Sequence, residues 1–231
     1  MPQYLADIKE TEFFLTDDEA HHAAVVARHK EGDEVRVFDG RGLQYLARIT
    51  KIQKNFVRGT LLKKCDVRRV PLSLILCFVP NSRTGLEEVL DKGTQLGVAA
   101  FLPLVSARSE YDVLKKFDGK NERWQQIMVS ACKQCNTPFI PQILPPVKFA
   151  QAVLADERSL IAYEAEQTHT LAWGMSELKN PKNLRVFVGP AGGWTGEEIS
   201  LACANNILPV TLGVNILRAE TACIAVAAKL L

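Results

Sequence analysis

Apolar residues recur along this chain with two different rhythms, and the change falls near Arg68–Pro71. Before it, short runs of alternating apolar and polar residues predict strands at Glu34–Phe38, Gln44–Ile49 and Asn55–Leu61. The turn signals Glu31-Gly32-Asp33 and Asp39-Gly40-Arg41-Gly42 separate them. A helix over Asp17–Arg28 precedes these strands, with Thr16 placed to cap it. Short strands joined by tight turns predict a small β-barrel.

After Pro71 strands alternate with helices. Leu72–Val79 is a continuous apolar run, as a strand buried on both faces requires. Leu86, Val89, Leu90, Gly93 and Leu96 then fall on one helical face, with Gly97 placed as its C-cap. Ala99–Val105 reads as a second strand, and Trp124, Ile127, Met128, Ala131 and Cys135 mark another amphipathic helix. Strands follow at Leu160–Tyr163, Leu184–Val188 and Leu208–Leu212. The last helix, Glu220–Leu231, is apolar nearly all round and is expected to be buried. This alternation predicts an α/β fold, a parallel sheet with helices on both faces. Two domains are expected, 1–69 and 70–231.

Charge adds a polarity that the net value of +2 hides. Residues 1–40 hold four Lys/Arg against ten Asp/Glu, a net of −6, whereas residues 41–69 hold nine against Asp66 alone, a net of +8. A basic stretch of that density either attracts phosphate backbones or is a solvated strand face that folding mixes with the acidic stretch. No apolar run is long enough to span a membrane. Met1–Glu10 carries acids and no apolar core, unlike a secretory signal. With six scattered cysteines, this leads us to expect reduced thiols and a cytoplasmic location.

Chemistry concentrates in two glycine-bearing loops, each between an apolar strand and a helix start: Val188–Glu198 and Leu212–Thr221. Gly192 and Gly193 permit close approach of a ligand to backbone, and Thr195 with Glu198 has capping-box spacing. One such loop is more often a plain turn; two together predict a ligand cleft at the carboxyl edge of the sheet. The spacing is not the G-x-G-x-x-G of dinucleotide folds. Cys132-Lys133-Gln134-Cys135 lies mid-helix without a second ligand pair, and His21-His22 has no ligand neighbour at metal spacing, so no metal is expected. Trp194 could stack on a base, although core filling is the commoner use of Trp.

Five segments together resemble the 16S ribosomal RNA uridine-N3 methyltransferases of the SPOUT class. They are His21–Arg28 with Gly32-Asp33 and Val37–Gly40; Lys92–Val98; Arg108-Ser109; Trp124 to Gln134; and the two glycine loops. The resemblance implies a PUA-like RNA-binding barrel followed by a SPOUT domain with a deep C-terminal trefoil knot. It also implies a homodimer acting on small-subunit ribosomal RNA, and S-adenosylmethionine as cofactor. Val188, Gly189, Pro190, Gly192 and Gly193, with Leu212, Gly213, Ile216 and Leu217, would hold that cofactor. Arg218 would be the catalytic donor, or else a phosphate clamp or ion-pair partner of Glu220. From the residues themselves, Arg28 and the basic stretch with Lys63 and Lys64 are candidate RNA phosphate contacts, and Arg108, just past a strand, is either a phosphate or substrate contact or a surface ion pair.

The chain departs from the family pattern at five places. Ala191 and Gln95 stand where the family carries Glu, Asn215 and Thr137 where it carries Arg, and Ala219 where it carries Thr. Two acids and two arginines are absent together, which suggests lost salt-bridge partners. Two alternatives therefore stay open: an RNA-binding protein that keeps the fold without turnover, and a SPOUT methyltransferase acting at another RNA position.

Overall fold

The computed structural model describes residues 2–117, 122–155 and 158–231, which divide into two compact units. The first comprises Met1–Arg69 with Val129–Ile140, and the second Val70–Met128 with Pro141–Leu231.

The first unit is a curled six-stranded sheet of β1 (Gln3–Leu5), β2 (Asp7–Lys9), β3 (Glu12–Thr16), β4 (Glu34–Phe38), β5 (Gln44–Gln53) and β6 (Phe56–Lys64), in the order β1-β4-β5-β6-β3-β2. All neighbours are antiparallel except β1 and β4. Tyr4, Phe13, Leu15, Val35, Val37, Ala47, Ile49 and Val57 fill its interior from alternate positions, so register follows from burial. Gly59 packs under the Arg48 carbonyl and the Phe13 ring, where any side chain would collide. The helix expected as one run to Arg28 is instead α1 (Asp17–His21) followed by a π-helical turn, His22–Val26. Only Ala20 and Ala23 are buried there, so little packing enforces the tighter α spacing. Thr16 takes the N-cap position without a side-chain cap bond.

The second unit contains β7 (Ser73–Phe78), α2 (Arg83–Leu96), β8 (Ala100–Val105), α3 (Val113–Lys116), the start of α4 (Glu122–Cys135), β9 (Gln142–Ile143), β10 (Val147–Lys148) and α5 (Phe149–Ala152). It continues with β11 (Ser159–Ala162), α6 (Leu171–Glu177), β12 (Asn183–Val188), α7 (Gly196–Ala204), β13 (Leu208–Val210) and α8 (Ala219–Leu230). The strands run β10-β8-β7-β12-β11-β13, every pair parallel, with short β9 beside β8. Strand order departs from chain order at one informative place: β12 inserts between β7 and β11. After edge strand β13, α8 returns to pack on α2, β7 and β12.

Capping sets several helix ends. Ser82 accepts from Gly85 N to start α2, and Gly97, at φ 95°, ends it in the left-handed conformation. α8 is buried on one face rather than all round. Ala222, Cys223, Val226 and Ala227 are covered, while Thr221, Ala228 and Lys229 are exposed.

Candidate active site

Parallel strands put their carboxyl ends along one edge, and the order β12-β11-β13 sets the two glycine loops on either side of the end of β11. Between them lies a cleft of about 250 Å³. Ala162, Tyr163 and Glu164 line it from β11. Val188, Gly189, Pro190, Gly192 and Gly193 line one side, and Leu212, Gly213, Ile216 and Leu217 the other. Ala191 and Asn215, two of the departures from the family pattern, face the same cleft.

The first loop is fixed from several directions. Gly193 adopts φ 68°, a region L side chains rarely enter, and its N–H donates to the Pro190 carbonyl at 3.0 Å. Ala191 N donates to Asn81 Oδ1 at 3.0 Å, and Arg108 Nη1 to the Gly192 carbonyl at 2.5 Å. Trp194 is a core residue, 3% exposed, with its ring centroid 4.6 Å from that of Phe149 and Nε1 donating to Ala162 O at 3.0 Å. It anchors the loop and is not free to stack on a base. The predicted capping box is present: Thr195 Oγ1 accepts from Glu198 N, and Glu198 Oε2 from Thr195 N. Glu198 Oε1 also accepts from Ala107 N at 2.9 Å, so one carboxylate ties the turn after β8 to the start of α7.

The second loop is held at its base. Thr211 N donates to His169 O and Lys229 Nζ to Leu212 O, both at 2.7 Å. The turn supplying His169 is organised by Glu166, whose carboxylate accepts from the His169 and Thr168 amides. These amides, that of His169 first, pull its pKa from the usual carboxylate range to about 2. Beyond Gly213, at φ 142°, Val214 and Ile216 stand at the rim of the cleft, 104% and 86% exposed. Arg218 occupies the N-cap of α8 with an exposed side chain, and its carbonyl accepts from Ala222 N. It is not among the residues lining the cleft, although its neighbours Leu217 and Ala219 are.

The remaining sequence candidates lie elsewhere. Arg28 (φ 56°, just past the π-helical turn) and Lys63 and Lys64, at the end of β6, are exposed on the first unit. Lys51 pairs with Arg58 across β5 and β6, which concentrates positive charge on that ribbon. Arg108 is exposed but one arm of its guanidinium is committed to the first loop. Cys132 is buried, its thiol donating to Phe139 O and pushed up to about 12 mainly by burial, an inert filler. Among the described residues no group of His, Cys, Asp and Glu could hold a metal ion. Sequence reading missed Asn81 and Glu164. A side chain just past a strand end carries no periodic signal, and Glu164 becomes legible only when β11 is known to lie between β12 and β13.

Comparison with known proteins adds to this geometry. Residues 68–231 match the family described as RNA methyltransferase domain, and residues 15–62 the RNA methyltransferase PUA domain. The curated relatives include ribosomal RNA small subunit methyltransferase E of Synechocystis sp., 32% identical over 93% of this chain and 71% of that protein. The protein of the same name from Bacillus subtilis is 29% identical over 91% of this chain and 86% of its own length. A solved Neisseria gonorrhoeae ribosomal RNA small subunit methyltransferase E, bound to S-adenosyl methionine, superposes with TM-score 0.88 at 28% identity. That match covers 99% of this chain and 96% of the solved one. The fold and cleft thus define an RNA methyltransferase of the SPOUT class preceded by a PUA-like domain. The chain belongs to the ribosomal RNA small subunit methyltransferase E family.

Proposed function

We propose that this chain transfers the methyl group of S-adenosylmethionine to N3 of a uridine in small-subunit (16S) ribosomal RNA. The observation that carries this reading is the cleft between the two glycine loops at the carboxyl edge of the parallel sheet. The residues present fit the cofactor. Leu212, Leu217 and Ala222 give an apolar wall for a flat purine, and a Cβ at Gly213 would point into open space, so the backbone there is approachable. Support also comes from the family and from the cofactor in the Neisseria relative.

S-adenosylmethionine supplies an electrophilic methyl on a sulfonium. The chain must hold that methyl in line with N3, exclude water and stabilise the base as it loses its proton. Negative charge then spreads onto the uracil carbonyl oxygens, where a fixed cationic donor is most effective. Arg218, flanked in sequence by Leu217 and Ala219 of the cleft, is the donor in this reading. Arg28, Lys63 and Lys64 position ribosomal RNA through its phosphates, with Arg108 a further contact. The protein acts in the cytoplasm as a homodimer, and the exposed Val214 and Ile216 are apolar surface that a second copy can cover. Among the described residues no helix is long and apolar enough to cross a membrane.

Ala191 and Asn215 favour one rival, a protein that binds cofactor and RNA without turnover. Mass spectrometry of 16S rRNA nucleosides from a strain lacking the gene separates the two. Loss of one 3-methyluridine, restored by the wild-type gene, is expected; an unchanged level would contradict the assignment.

A further inference from the structure

Among the residues lining the cleft, Glu164 alone carries a formal charge. It is exposed to the cleft, and among the described residues no side chain or backbone group pairs with it. Its carboxylate lies against Gly193, in the space a Cβ there would enter. The first loop therefore makes room for an acid, between two walls otherwise built from backbone, apolar groups and neutral polar groups.

A carboxylate only accepts hydrogen bonds, and it does so through two oxygens side by side. Three parts of the proposed cofactor could answer it: the sulfonium, the amino acid ammonium and the vicinal ribose hydroxyls. Pairing with the sulfonium is counterproductive. It would stabilise a charge that disappears in the transition state and so raise the barrier. The ammonium lies at the far end of the amino acid chain, whereas the ribose is bonded directly to the purine. The purine wall of Leu212 and Leu217 and the Glu164 carboxylate share one cleft. Paired acceptor oxygens match paired O–H donors, the same chemistry by which an acidic residue near a strand end reads ribose in dinucleotide folds. Resting on the cofactor reading above, the geometry points to Glu164 as the residue that recognises the ribose diol of the cofactor.

Calorimetry on the full-length protein and E164Q, with three ligands, tests this. S-adenosylmethionine carries sulfonium, ammonium and ribose; S-adenosylhomocysteine lacks the sulfonium; 5′-methylthioadenosine lacks both charges and keeps the ribose. E164Q is expected to weaken all three by a similar factor, about 5–10-fold for the loss of charge-assisted hydrogen bonds. An unchanged melting temperature controls for folding. A 2′,3′-dideoxy analogue of methylthioadenosine should bind the wild type and E164Q alike. Loss confined to S-adenosylmethionine assigns the carboxylate to the sulfonium and overturns the proposal. Loss with both charged ligands but not methylthioadenosine assigns it to the ammonium and also overturns it. Unchanged affinities leave Glu164 no ligand and overturn it as well. A wild type that binds none of the three overturns the cofactor reading itself, and the ribose assignment with it.

Discussion

The two walls of the cleft are built differently. The first loop is tied by Asn81, Arg108 and Glu198 from outside and by Trp194 from within. The second is tied at Thr211 and Leu212, then runs along the rim of the cleft through exposed Val214 and Ile216. A wall satisfied by internal hydrogen bonds is set before ligand arrives and loses little freedom on binding. A wall of exposed apolar side chains is in an unfavourable state until something covers it. The first wall therefore fixes position, and the second supplies burial when purine or partner arrives.

Substitutions can break that contrast, and their expected effects fall in order. Trp194→Ala removes a buried indole and its hydrogen bond, and should cost about 3–5 kcal/mol, read as a lowered urea midpoint. Trp194→Phe keeps most of the packing and should cost far less. Gly193→Val places a β-branched residue at φ 68° and against Glu164. It should weaken S-adenosylmethionine binding by about 5–30-fold, as ~1–2 kcal/mol of backbone strain requires, with the Trp194 core intact by near-ultraviolet circular dichroism. Glu198→Ala frees Ala107 N and Thr195 N and should destabilise by about 1–3 kcal/mol in chemical denaturation. In the second wall, Ile216→Ser should leave stability within about 0.5 kcal/mol, as surface changes do, while weakening cofactor binding or self-association. A destabilisation as large as that of Glu198→Ala would erase the distinction between the walls.

Acid sharpens the same contrast. The Glu166 carboxyl is held down to about 2 by the His169 and Thr168 amides, so the stabilisation it brings is complete above the ordinary glutamate value. It declines as pH falls towards the folded value. The protection factors of the Thr168 and His169 amides, exchange rates taken relative to the unstructured chain at the same pH, are therefore expected to hold down to pH 5 and to fall below pH 4. A fall already complete at pH 6 would mean the turn is held by something else.

Much of this site was legible before any coordinates. The Thr195–Glu198 capping box, the Gly97 C-cap and the parallel-sheet strands each follow from local spacing, where one residue type has one physical use. What stayed hidden depends on order in space. β11, β12 and β13 are consecutive in the chain, yet β12 lies between β7 and β11, and only that insertion puts Glu164 between the loops. Arg108 reads as a phosphate contact or a surface ion pair after a strand, but its partner is a backbone carbonyl 84 residues away, and a carbonyl leaves no mark in sequence. Strands β1 and β2 have three residues each, too few for alternation to register, and Phe13-Phe14-Leu15 in β3 is a continuous apolar run without the alternation that reveals β4. The π-helical turn has no composition of its own.

The central claim is that two glycine loops of unequal rigidity form one cofactor site. Titration of S-adenosylmethionine into the wild-type protein and Gly193→Val, followed by calorimetry, tests it most directly. The account predicts saturable binding at one site per chain in the wild type and about 5–30-fold weaker affinity in the variant. Equal affinities in the two proteins, or no heat in the wild type at millimolar ligand, would contradict it.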